Sequence, residues 1–320
     1  MAAPTDPKRD APAHRLRACL RPTPPAAGEG IRLALWQGNG DAGSAEARDQ
    51  NLSRLEQVAA LAASHGAQLL AFPELYLSGY IVTPELAQQL AEPMDGPSLQ
   101  RVAAAAHRHG LAIACPYPER AMVAGRERFY DAIALFDGQG QLLRSYRKTH
   151  LWGPDERRCW SPGYEHPEEG PALTVQTVNG LPLGLLNCYE AEFPELTRRL
   201  ALEGARLVLI PTAADAWAVL SDGQRTERPY PDVSRTLLPA HAFENDCFIA
   251  YANRCGQERV AGRVMAAYLG NSVIVGPHGD LLVAATAEPT LLLADCLPGE
   301  YGPTHPAGTR YLLDRRPDLY

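Results

Sequence analysis

The stretch LPLGLLNCYEAEFPELTRRLALEGARLVLIP, residues 181–211, decides the architecture. Leu181 to Asn187 is apolar in the manner of a strand buried on both faces. Phe193 to Glu203 reads as a helix that Gly204 ends, and Leu207 to Pro211 is again a short buried strand. Strand, helix, strand is the unit of a sheet covered by helices.

Working outward, Leu173 to Val178 precedes this unit across Asn179-Gly180, the strongest short hairpin signal. Downstream come a helix over Val233 to Glu244 and a strand over Cys247 to Ala252. Ser272 to Val275 and Leu281 to Ala285 flank the turn Pro277-His278-Gly279-Asp280, and Leu291 to Asp295 is the last strand. The first half has the same outline. Ile31 to Gln37 is a strand, and Ala45 to Ser64 is a helix with Leu52, Leu55, Val58, Ala59 and Ala62 at helical spacing. Strands follow over Gln68 to Phe72 and Leu111 to Tyr117, with a helix over Pro97 to Arg108 between them. A hairpin follows, with arms Tyr130 to Phe136 and Gln141 to Tyr146. Two similar halves with no Gly-, Ser- or Pro-rich linker predict an α/β fold of two mixed sheets packed face to face in one domain, residues 31–295. Residues 1–30, rich in Pro, Ala and Arg, read as a disordered or surface-draped tail. They lack the apolar run of a secretory signal. Residues 296–320 read as a C-terminal tail, expected at a dimer interface.

Composition narrows the partners. The chain has 320 residues, 46% hydrophobic and 21% charged, which is globular rather than fibrous or disordered. A net charge of −7 disfavours nucleic acid, which needs a basic footprint. No stretch approaches the roughly 18–20 apolar residues of a membrane helix. A small-molecule partner is the better expectation. Seven scattered cysteines without a CxxC pair suggest neither a disulfide framework nor a zinc site, and fit reduced thiols in a cytoplasmic protein. Only Lys8 and Lys148 are lysines, against 28 arginines. A lone folded lysine beside Arg147 suits a position that needs a compact ammonium.

Three motifs carry chemistry, each just past a buried strand. Phe72-Pro73-Glu74 delivers a carboxylate, Arg147-Lys148-Thr149-His150-Leu151-Trp152 an ammonium, and Asn187-Cys188-Tyr189-Glu190 a thiol at a strand-to-helix turn. Taken singly, each has a duller reading: a solvated glutamate, a surface basic pair, an inert cysteine. Together they make a mechanism. A thiolate attacks, the lysine stabilises the thiolate and the developing oxyanion, and the carboxylate moves the proton.

In these motifs the sequence resembles the nitrilase superfamily of carbon–nitrogen hydrolases, over about Ile31 to Asp295. Phe243-Glu244-Asn245, Tyr251-Ala252-Asn253 and Gly276-Pro277-His278-Gly279 resemble the family's later segments. The resemblance implies a four-layer αββα sandwich that associates as a homodimer or higher homo-oligomer. It also implies no metal and no organic cofactor. It implies Glu74, Lys148 and Cys188 as the catalytic triad and Glu156 as a second glutamate that positions substrate. Tyr80, Trp152, Tyr189 and Glu192 are the further substrate-binding candidates.

Within the superfamily the likeness is greatest to bacterial aminovaleramidases and R-stereoselective amidases. These carry an acidic pair and Phe-Pro-Glu after Cys-Tyr, as Cys188 to Glu195 does. Glu190 to Glu192 stand where amino-acid carbamoylases place arginine, which disfavours an anionic substrate. The expected function is hydrolysis of a small aliphatic carboxamide, with Glu192 meeting an amine at its far end. Asp215 is a further acid in a pocket-lining loop. The alternatives are an N-carbamoyl amine hydrolase of the carbamoylputrescine kind, a nitrilase, and a silent binding protein of the same fold.

Overall fold

Strands that are apolar at every position need cover on both faces, and the topology supplies it. The computed structural model describes residues 12–81, 83–225, 232–303 and 307–319. Residues 1–11, including Lys8 and most of the acids of the expected N-terminal tail, lie outside them. So do residues 304–306 and 320 of the expected C-terminal tail. The first sheet runs β1 (Arg15–Cys19), β16 (Thr290–Cys296), β2 (Ile31–Gln37), β3 (Leu69–Ala71), β4 (Ala112–Val123), β5 (Arg126–Phe136), β6 (Leu142–Arg147). The second runs β15 (Leu281–Ala284), β14 (Val273–Val275), β11 (Phe248–Asn253), β9 (Leu207–Thr212), β8 (Leu181–Leu185), β7 (Gln176–Val178). Parallel pairs occupy both centres, antiparallel hairpins flank them at β4–β5–β6, β14–β15 and β7–β8, and β16 joins β2 antiparallel, so both sheets are mixed.

The period of two sorts the side chains. Ile31, Leu33 and Leu35 of β2 meet Leu183, Leu185, Leu207, Leu209 and Phe248 in the layer between the sheets. Ala34 and Trp36 face the other way, onto Leu52, Leu55 and Val58 of α1 (Ala45–Ser64) and Leu99 and Val102 of α3 (Pro97–His109). Across the sandwich, Val208 and Ile210 pack beneath α5 (Pro194–Leu202) and α6 (Leu237–Asn245), against Leu200, Leu238 and Ala242. The result is the αββα sandwich. No helix of the described residues is long and apolar enough to cross a membrane.

Several elements are not in the sequence reading. Arg15–Cys19 joins β16 as a parallel edge strand with every residue exposed, so backbone bonds rather than burial hold it. β4 and β5 run further than read, closing at Ala124-Gly125 with φ of 50° and 72°. A third sheet, β10 (Asp215–Ala218), β13 (Arg263–Leu269), β12 (Cys255–Val260), has an interrupted burial pattern and hence little periodicity to read. Two helices of seven residues, α2 (Pro84–Leu90) and α4 (Gly153–Cys159), are too short to show a repeat.

Candidate active site

The three motifs converge where β3, β6 and β8 end. Glu74 lies three residues beyond β3, Lys148 directly follows β6, and Cys188 opens a 3-10 turn over Cys188–Glu192 just beyond β8. Because β3 and β8 belong to different sheets, the site forms at one end of the sandwich seam. Two of these turns are conformationally unusual. Cys188 has φ +52° and Leu75, beside Glu74, has φ +46°. A non-glycine residue held in the left-handed region stores about 1–3 kcal/mol and marks a site that the surrounding structure over-determines.

Lys148 is completely buried. Its Nζ donates to Glu74 Oε1 at 2.6 Å and to Glu156 Oε1 at 2.8 Å. Glu156 comes from α4 and is fixed from two more sides. The Tyr80 hydroxyl donates to Oε1 at 2.7 Å, and the Trp152 N–H donates to Oε2 at 2.7 Å. Burial opposes the Lys148 ammonium, but Glu156 and Glu74, with Cys188 and Asp131, outweigh it and hold its pKa well above the ordinary lysine value. Burial likewise raises the Glu156 carboxyl, against the pull of Lys148. The Cys188 thiol is pushed well above its ordinary value, first by burial and then by Glu74. Lys148 and the Ala213 N–H pull the other way without offsetting this. Cys188 therefore rests as a thiol at neutral pH.

Three supporting residues were not read from the sequence as such. Glu190 is fully buried and ties the lysine and cysteine loops together. Asp131, in the middle of β5, accepts from Asn187 Nδ2 at 2.9 Å, and its carbonyl accepts the Lys148 N–H at 2.9 Å. An acid inside the apolar run Tyr130 to Phe136 was the signal available for it, since a buried charge needs a reason. Arg254 is fully buried. Its guanidinium donates to the carbonyls of Glu74 (3.0 Å) and Leu75 (2.6 Å) and to Glu258 Oε2 (3.1 Å). Glu258 in turn accepts the N–H groups of Tyr80 (3.1 Å) and Ile81 (2.6 Å). This pair holds the Glu74 turn and the Tyr80 segment together, and nothing in the spacing of the sequence announces it.

A cavity of about 600 Å³ opens beside this cluster. Tyr80, Trp152, Glu156, Trp160, Asp215 and Tyr268 are among its lining residues. Tyr189 and Glu192 are not. The Tyr189 ring packs edge-on against Phe193 at 5.0 Å, and Phe193 against His150 at 4.5 Å. Glu192 is half-buried with no hydrogen bond or ion pair to the described residues, and burial raises its carboxyl pKa. Both Glu192 and Cys188 act on the buried Tyr251 hydroxyl, so the two share a neighbourhood.

Residues 32–305 match the carbon–nitrogen hydrolase family model. A protein of Pseudomonas protegens described as a hydrolase in the pqqF 5′ region is 41% identical, over 84% of this chain and 85% of its own length. An (R)-stereoselective amidase of a Pseudomonas species is 36% identical, over 73% and 74%. Among solved structures, an amidase from a Nesterenkonia species superposes with a TM-score of 0.68 at 32% identity. The match covers 91% of this chain and 95% of that one. That amidase belongs to the nitrilase superfamily, and its variants have been solved with acrylamide, with butyramide, and with the acetamide moiety of fluoroacetamide joined to the active-site cysteine. The present chain belongs to the carbon–nitrogen hydrolase family, as an amidase-type enzyme of the nitrilase superfamily acting on non-peptide C–N bonds.

Proposed function

We propose that the enzyme hydrolyses a small aliphatic carboxamide, preferably one with an amine at its far end, to a carboxylate and ammonia through a thioester on Cys188. The observation that carries this reading is the Lys148 ammonium seated between Glu74 and Glu156, next to a cysteine on a left-handed turn. Glu74 takes the thiol proton as sulfur bonds to the amide carbon and the carbonyl π pair moves to oxygen. Lys148 has three N–H donors, two of them spent on Glu74 and Glu156, and the third serves the oxyanion. The Tyr189 N–H joins it, since the first N–H groups of a helical turn have no acceptor within that turn.

As the carbonyl re-forms, the C–N bond breaks and Glu74 passes its proton to the departing ammonia. Glu74 then takes a proton from water, hydroxide adds to the thioester, and the cysteine leaves with its proton restored. Glu156, fixed by Tyr80 and Trp152, orients the amide nitrogen and Lys148. The cavity beside Tyr80 and Trp152 admits the amide, and the far end of the acyl chain turns from it toward the cysteine loop. Glu192, half-buried and unpaired among the described residues, is the carboxylate for a terminal ammonium.

The test is ammonia release from pentanamide, 5-aminopentanamide, N-carbamoylputrescine and pentanenitrile, with hydroxylamine present to trap the thioester as a hydroxamate. Release and trapping with the amides, both lost in Cys188→Ala, are the expected result. Turnover of the carbamoyl amine alone, or of the nitrile alone, overturns the amide reading.

A further inference from the structure

Three acidic side chains crowd one ammonium. Carboxylate oxygens of Glu74, Asp131 and Glu156 lie within 4.8 Å of one another, and all three residues are buried. Lys148 Nζ bonds Glu74 and Glu156 but stands 3.7 Å from Asp131 Oδ2, beyond hydrogen-bonding distance. Two buried oxygens are left without a donor among the described residues, Glu74 Oε2 and Asp131 Oδ2. The other Asp131 oxygen is used by Asn187 Nδ2.

Three carboxylates against one cation is a charge state that a buried site does not sustain, and one of them takes up a proton. A carboxylic acid both donates and accepts, so a single proton between Asp131 Oδ2 and Glu74 Oε2 satisfies both orphaned oxygens. The partners decide which residue owns it. Glu74 Oε1 already accepts a charge-assisted hydrogen bond from the ammonium, which makes Glu74 the acceptor of the pair. Asp131 receives only a neutral amide, and the ammonium is out of bonding reach. We propose that Asp131 is a protonated, neutral acid that donates its O–H to Glu74 Oε2, a positioning residue that holds Glu74 aimed at Lys148.

Burial, and after it the neighbouring Glu74, pushes the Asp131 carboxyl well above the ordinary aspartate value, in the same direction. The groups that face Asp131 are Glu74 beyond β3, Lys148 beyond β6, Glu156 from α4 and Asn187 beyond β8, with Cys188 next in line. Asp131 thereby touches the residue before Cys188 as well as both members of the Glu74–Lys148 pair. Its role in turnover rests on the amidase mechanism above, whereas its protonation does not.

The protonation is tested first, without substrate. Infrared difference spectra at neutral pH should contain the carbonyl stretch of a buried carboxylic acid in the wild type and lack it in Asp131→Asn. Carbon-13 labelling of aspartate should shift the same band in the wild type, a measurement that needs no variant. Failure of the band to shift on labelling overturns the proposal and leaves the amidase reading intact. The role is tested on any amide that the wild type turns over. Asp131→Ala should lose about tenfold or more in kcat, because Glu74 Oε2 loses its donor and Asn187 Nδ2 its acceptor. Asp131→Asn should rescue most of that loss, an amide N–H replacing the acid O–H, with the acidic limb of the kcat/KM profile unmoved. A limb that moves down by about one pH unit in Asp131→Asn means that a charge beside Glu74 was removed, and overturns the proposal.

Discussion

Glu190, two residues beyond Cys188, accepts the backbone N–H of Thr149, the residue after Lys148, at 2.6 Å. The same oxygen accepts the Thr149 hydroxyl, and the other accepts the Asn187 N–H at 2.7 Å and the Tyr146 hydroxyl at 2.8 Å. One buried carboxylate therefore fixes the spacing of the lysine and cysteine loops. Glu190→Gln replaces an acceptor-only group by one whose amide N–H groups face existing donors. Hydrogen bonds to a charged group are worth about 1.5–3 kcal/mol each, so the variant should lose several degrees in melting temperature and about tenfold or more in kcat. Thermal melts and steady-state rates check both. Unchanged kcat would mean that the loops hold their spacing without Glu190.

Cys188 sits at φ +52°. Cys188→Ala should abolish turnover and leave the melt within about 1 kcal/mol of wild type, since only a sulfur atom is removed. Cys188→Gly should be equally inactive but at least as stable as the alanine variant, because glycine occupies the left-handed region without steric cost. Ammonia release by a folded Cys188→Ala protein contradicts the mechanism. A glycine variant less stable than the alanine variant contradicts the strain.

Lys148 is fully buried, with Glu74 and Glu156 closing on its Nζ at 2.6 and 2.8 Å. A guanidinium is planar and wider than an ammonium, so Lys148→Arg should be nearly as damaging as Lys148→Ala. Loss of one oxyanion donor lowers kcat by about 10²–10³. An arginine variant that keeps more than about a tenth of wild-type kcat would show that Lys148 acts as a diffuse charge rather than a placed donor.

The Arg254–Glu258 pair is buried at both ends and bonded at 3.1 Å. Arg254→Met should destabilise the fold by about 3–5 kcal/mol, leaving Glu258 uncompensated. Adding Glu258→Gln to Arg254→Met should recover part of that loss. A double-mutant cycle by denaturant melts measures the coupling. Additive losses would place the clamp on Glu74 and Leu75 in backbone bonds alone.

The fold was legible where both faces of a strand are buried. Ile31–Gln37 and Leu207–Thr212 are buried at every position, and the apolar residues that dominate them, with only Arg32, Gln37 and Thr212 polar, decide the sandwich. The glutamate and cysteine loops were legible because Glu74 and Cys188 follow such runs, whereas the strand before Lys148, LLRSYR, is buried only at Tyr146 and not throughout as expected, so Lys148 stood out as the lone lysine of the folded part instead. Less legible was whatever depends on pairing distant residues. Arg254 bonds Glu74, 180 positions away, and Asp131 meets Asn187 at a separation of 56. Local spacing carries no trace of either contact. The β10–β13–β12 sheet escaped for a related reason, since exposed and buried positions in Cys255–Val260 follow neither a helical nor a strand period. Glu190 was visible as an acid but was read for its charge. The structure spends its carboxylate on the Thr149, Asn187 and Tyr146 donors.

Glu192 is the remaining acid of the cysteine loop, and its situation differs from that of Glu190. It is half-buried, has no hydrogen bond or ion pair with the described residues, and burial raises its carboxyl pKa. Partial desolvation without a partner is the condition in which a carboxylate gains most from an incoming cation, because the ammonium offsets a penalty already incurred. The wild type should therefore prefer 5-aminopentanamide to pentanamide in kcat/KM, and pentanamide to glutaramate. The preference should sit mainly in KM, since the far end of the chain is remote from the reacting carbon. Glu192→Gln should reduce the preference for the amine by about tenfold, the scale of one partly buried charge pair, while leaving kcat/KM for pentanamide nearly unchanged. High salt should weaken the wild-type preference only modestly, because a half-buried pair is screened less than an exposed one. If Glu192→Gln keeps the full preference for the amine, the cation is bound elsewhere, and Asp215 on the cavity wall is the next carboxylate to replace.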